Sequence, residues 1–163
     1  MISLVSYYFY NKNKSVTPTN IPNISNTNIV YGTIYSNKDY GFAFTLPNTW
    51  ANYSIVKNTW EGSPVNTKSK KETGPKLLIR NPKWTEALPY QDIPVLVFTL
   101  AEWSTYEKGN FSVSAAPILA SELGRNNKYV FALPARWNFD YSKDYEEAIS
   151  IINTNPLEAF DLK

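Results

Sequence analysis

Neither cysteine nor histidine occurs among the 163 residues. Their absence removes disulfides, thiolate nucleophiles, imidazole proton shuttles and the Cys/His ligand sets of zinc and copper. Glycine is scarce, with six residues standing far apart, and the chain holds no G-x-G-x-x-G, P-loop, H-E-x-x-H or G-x-S-x-G pattern, so no cofactor is expected. A D-x-[DN]-x-[DN]-G loop is also missing, and no metal is expected. Charge of one sign is lacking as well. Of the 16 basic residues, Lys12 and Lys14 lie in positions 1–28, which hold no acid, so the other 14 face 14 carboxylates. Arg80, Arg125 and Arg136 are the only arginines, and Lys68, Lys70 and Lys71 the only basic run. No phosphate-neutralising stripe results, which argues against nucleic acid as a partner.

What the chain has in quantity is aromatic surface. Twelve Tyr, eight Phe and five Trp outweigh the sparse charge, a balance that builds a packed core rather than a disordered chain, and the length suits one domain. The opening MISLVSYYFY is uncharged and largely apolar, but ten residues fall short of the roughly 20 that span a bilayer. It reads either as the residual end of a signal peptide or membrane anchor, or as an aromatic strand. Positions 11–28, with six Asn and two Pro, have the composition of a flexible polar stalk. The folded domain is therefore expected over 29–163.

Runs 30–35 and 40–46 predict an antiparallel hairpin, with Tyr40, Phe42, Phe44 and Leu46 on a core-facing side and Pro47 as a stop. A third strand follows over 53–61, then a surface loop over 62–74, and a short strand over 76–80. Residues 93–100 place Val95 and Val97 on one face and Leu96, Phe98 and Leu100 on the other, so this strand sits at the sheet's centre with cover on both sides. Thr99 and Glu102 form a capping box for a helix over 101–108, stopped by Gly109. Residues 128–133 give another buried strand. Asp144 and Glu147 cap a helix that carries Tyr145, Ala148, Ile149 and Ile152 on one face. Six or seven strands with two or three helices predict an α+β fold, a central antiparallel sheet of about six strands covered by helices.

The candidate site rests on the arginines. Arg125 and Arg136 flank a buried strand and, with Glu122, offer a planar fork for a carboxylate or for backbone carbonyls. Arg80 ends another strand beside Trp84. Together with Gln91, Asp92, Glu102 and Trp103 these residues would line an aromatic-rimmed pocket at one end of the sheet. The competing reading makes Glu122 and Arg125 a surface pair, with Arg136 and Trp103 tying loops to the sheet.

The segments YGFAFTLPNTW at 40–50, PYQDIPVLVFTLAEW at 89–103 and SELGRNNKYVFALPARWNF at 121–139 resemble an uncharacterised Gram-positive bacterial family of short lipoprotein or membrane-tethered domains. The pattern Y-G-F-x-F-x-L-P-x-x-W also resembles the opening of Mog1/PsbP-like domains. The resemblance implies an α/β/α sandwich around an antiparallel sheet and an extracytoplasmic location at the cell surface, and it brings no catalytic residues with it. Joined to the missing proton shuttle, it leads to the expectation of a non-enzymatic accessory or adaptor domain binding a protein or small ligand. Two alternatives stand beside it: an immunity or inhibitor protein against a toxin, and a carboxylate-based hydrolase with two acids facing across a cleft.

Overall fold

The computed structural model describes residues 31–65, 71–113, 118–138 and 142–163; the anchor and stalk readings fall on positions outside these. In chain order the elements are β1 (Tyr31–Asn37), β2 (Phe42–Pro47), β3 (Ser54–Pro64), β4 (Glu72–Arg80), β5 (Ile93–Thr99), α1 (Leu100–Glu107), β6 (Phe111–Ser112), β7 (Ser121–Arg125), β8 (Tyr129–Leu133), α2 (Tyr145–Ile152) and β9 (Leu157–Ala159). A 3-10 turn, Asn48–Trp50, follows β2. The strands form two sheets, β1-β2-β9 and β6-β3-β4-β5-β8-β7, and every strand pair within them is antiparallel. The fold is α+β and mainly antiparallel.

Alternation in β5 builds the two cores. Ile93, Val95 and Val97 face a core shared with Phe42, Phe44 and Leu46 of β2, Trp50, and Ala148 and Ile151 of α2. Leu96 and Phe98 face a second core with Trp60, Phe111, and Trp103 and Tyr106 of α1. The cover expected on both faces is present, but helices supply only part of it. One face lies under α1 and the other under the three-stranded sheet together with α2. β9, too short to show a period, completes that sheet by pairing Leu157 with Phe44 and Ala159 with Phe42.

Of the loop expected over 62–74, residues 66–70 lie outside the described residues, and the flanking parts are strand in a hairpin arm. β3 runs to Pro64 and β4 starts at Glu72, with Gly62 opposite Glu72 and Glu61 opposite Thr73. This arm extends past the core, so it needs no apolar alternation; backbone pairing and a Lys71–Glu61 ion pair at 2.6 Å hold it.

Within the same hairpin, Trp60 lies over Gly74, where a Cβ would sit 2.5 Å from the indole. The β4–β5 ladder stops at Lys76–Leu96, because the next position of β4 is Pro75, which has no N–H to give. The indole Nε1 of Trp60 donates instead to the Val97 carbonyl at 2.8 Å, in a buried setting. Trp60→Phe keeps the ring but orphans that carbonyl. It is expected to lower unfolding free energy by about 1–3 kcal/mol in urea titration, whereas an unchanged midpoint would count against this role.

Candidate recognition site

The seven residues singled out from the sequence fall in three places. Arg125 pairs with Val130 near the start of β8, whereas Arg136 lies beyond Leu133, the last residue of that strand. The convergence of Arg125 and Arg136 is therefore not formed. Arg125 closes on Glu122 alone, with Nε on Oε1 at 2.7 Å and Nη2 on the second carboxylate oxygen. Positions three apart on a strand normally point to opposite faces; a bulge between Glu122 and Gly124 brings these two to one side. The Arg125 guanidinium holds the Glu122 carboxyl below its ordinary pKa. The Arg125 and Glu122 side chains are 51% and 31% exposed, so the pair is a surface tie of small energy.

Two more of the seven belong to α1. Thr99 Oγ1 accepts from the Glu102 amide at 3.2 Å, and the Glu102 carboxylate accepts from the Thr99 amide at 2.7 Å, so Glu102 serves as the expected helix cap. Trp103 is only 5% exposed and packs against Phe98 and Tyr106. It is a core residue rather than a pocket rim.

Arg80, Trp84 and the segment bearing Arg136 do come together, where β4 ends and β5 begins. Asp92 is the hub. Its Oδ2 accepts from Arg80 Nε at 3.2 Å and its Oδ1 from the Asn81 amide at 3.0 Å. The Arg80 guanidinium carbon lies 3.8 Å from the Trp84 ring centroid, so the group is fixed on one face by the indole and on one edge by the carboxylate. Trp84 reaches this position through a turn in which Asn81 Oδ1 accepts from the Lys83 amide at 2.9 Å and the Asn81 carbonyl from the Trp84 amide at 3.0 Å. Gln91 Nε2 donates to the carbonyls of Asp92 at 2.9 Å and Trp137 at 3.3 Å, which ties the Arg136 segment to the same end. Arg136 itself has a left-handed backbone, φ 55°.

Asp144 also serves this end. The sequence predicts it as the cap of α2, yet it adopts φ 59° and makes no side-chain cap; its carboxylate meets Lys83 Nζ at 2.5 Å. Glu147, expected to complete that capping box, accepts instead from the Thr49 hydroxyl at 2.6 Å. Long-range partners have outcompeted the local ones.

Burial pushes the Asp92 carboxyl above its ordinary pKa, outweighing the lowering by the Asn81 amide and Arg80. Asn81 and Gln91 are buried, at 1% and 6% exposure, but Asn81 Nδ2 and Gln91 Oε1 have no hydrogen-bond partner among the described residues. Sequence reasoning placed Gln91 and Asp92 here and missed the roles of Asn81 and Asp144. The Asn81-Pro82 pair directly after Arg80, a turn signal, was the available clue for the first.

Elsewhere, a shallow cleft of about 170 Å³ lined by Thr45, Thr154, Asn155 and Pro156 carries no charged side chain. Among the described residues no group of three or more acidic, histidine or cysteine side chains could hold a metal ion, and no helix is long and apolar enough to cross a membrane. No protein-family model, curated protein or solved structure matches the chain.

Because the fold disfavours ionised Asp92, its protonated form stabilises the protein. That contribution is complete below the unfolded-state pKa and is lost as pH rises through the folded-state value. Carboxyl-carbon NMR is expected to show a midpoint for Asp92 above the ordinary aspartate value of about 3.9. A midpoint below that value would contradict the dominance of burial.

Proposed function

We propose that the chain is a non-enzymatic, extracytoplasmic accessory domain of Mog1/PsbP-like type that grips a protein or small ligand through its Arg80–Trp84–Arg136 end. The observation carrying this reading is the clamped guanidinium of Arg80, stacked on Trp84 and paired with Asp92. Arginine and tryptophan supply much of the binding energy in interfaces, and a group already immobilised loses little entropy when a partner arrives. Leu88, 40% exposed, adds apolar surface in the same loop. Arg80 is balanced by Asp92 and Lys83 by Asp144, so contact here favours stacking and shape over net attraction. The mainly antiparallel sheet with helices on its faces supports the fold type. The apolar composition of positions 1–10 and the polar composition of 11–28 are the support for the location.

The test uses the full chain as bait against the surface fraction of the parent cells. Wild type and a Glu122→Ala/Arg125→Ala control are expected to retain the same partner, and Arg80→Ala/Trp84→Ala to lose it by at least about tenfold, with melting curves confirming that each variant folds. Equal retention by both variants, or no partner for wild type, would remove the proposal.

A further inference from the structure

We propose that β1 is a strand-pairing edge through which two copies of this chain associate. Among the described residues β1 is an edge of the three-stranded sheet, and the other edges carry devices that discourage pairing. β6 covers only Ser63 and Pro64 of β3, but the open remainder of β3 bears Lys57 and Glu61. β7 bears Glu122, Arg125 and a bulge, and β9 is three residues long with Glu158 among them. Charge, bulges and brevity are the means by which sheets avoid edge-to-edge contact.

β1 has none of the charge. Its seven residues, YGTIYSN, include no charged side chain and no proline; its one register shift lies at the start, between Tyr31 and Thr33, and from Thr33 to Asn37 the register is regular. Ile34 is 65% exposed and is the one large apolar side chain of any described strand that stands open. On the inner side, half-buried Tyr35 meets Tyr53, with ring centroids 5.9 Å apart. An added strand would therefore find an aromatic rim within and Ile34 without, the alternation that strand addition reads.

A second copy fits this edge because the edge is self-complementary. Antiparallel pairing about a dyad at Ile34 sets Ile34 against its own counterpart and Thr33 against Tyr35, within the regular stretch of the strand. No like charges meet, and the two exposed isoleucines cover one another. The contact is isologous and closes at two copies. One strand pair buries less than the roughly 1,200 Å² of a stable interface, so the dimer is weak and depends on concentration.

Sedimentation of the full chain from micromolar to millimolar concentration is expected to show mass rising towards that of a dimer. Ile34→Lys opposes two cations across the dyad and is expected to weaken association at least about tenfold, while Ile34→Val preserves it. A monomer throughout, or a dimer indifferent to Ile34→Lys in a folded variant, overturns the proposal. Should Ile34→Lys not fold, amide exchange in the unaltered chain decides. Protection of residues 33–36 that grows with concentration supports pairing, and protection that stays constant overturns it.

Discussion

The side chain of Asn126 fastens the two sheets together. Its Nδ2 donates to the carbonyls of Tyr40 at 2.8 Å, Gly41 at 3.0 Å and Phe160 at 3.1 Å, while its Oδ1 accepts from the amides of Lys128 at 2.9 Å and Tyr129 at 2.8 Å. One buried amide thus serves the β1–β2 turn, the exit from β9 and the β7–β8 turn. Gly41 is the matching half of the device. Its φ of 80° suits glycine, and a Cβ there would stand 2.6 Å from Asn126 Nδ2. Asn127 extends the seam by exchanging hydrogen bonds with the backbone of Leu162, its Nδ2 donating at 2.9 Å and its Oδ1 accepting at 3.2 Å.

The opposite end of the six-stranded sheet is built on a different principle. Asp92 organises it, but among the described residues the buried amide nitrogen of Asn81 and amide oxygen of Gln91 have no hydrogen-bond partner. Among the described residues the other two such atoms are the indole nitrogens of Trp50 and Trp103 in the two cores. Unsatisfied buried polar groups cost stability, and proteins tolerate that cost most readily where a surface serves recognition. One end of the molecule spends its polar groups on closure. The other keeps a stacked arginine and two unused amide atoms beside exposed loops.

Much of this fold was legible because it is local or periodic. β2 buries alternate residues, β5 and β8 are apolar runs buried on both faces, and α1 is capped by Thr99 and Glu102, three positions apart. The cap of α2 was misread because Asp144 and Glu147 find partners 61 and 98 residues away, which spacing does not reveal. The hairpin arm beyond Gly62 and the short β9 carry no hydrophobic period, so their pairing was invisible. Arg80, Trp84, Gln91 and Asp92 were legible as a group because they border the ends of β4 and β5. The gathering of all three arginines failed for want of strand order. Once β7 and β8 pair as a hairpin, Arg125 near its turn and Arg136 beyond its open end must separate.

The contrast between the two ends is tested most directly by unfolding Asn126→Ala and Asn81→Ala side by side in urea. Loss of Asn126 removes the side-chain donor from the Tyr40 and Phe160 carbonyls and the acceptor from the Lys128 and Tyr129 amides, while the Gly41 carbonyl keeps the Phe160 amide; it should cost about 3 kcal/mol, whereas Asn81, whose Nδ2 already lacks a partner among the described residues, should cost no more than about 1 kcal/mol. Equal losses, or a greater loss at Asn81, would contradict the division between a fastened end and the end we propose for recognition.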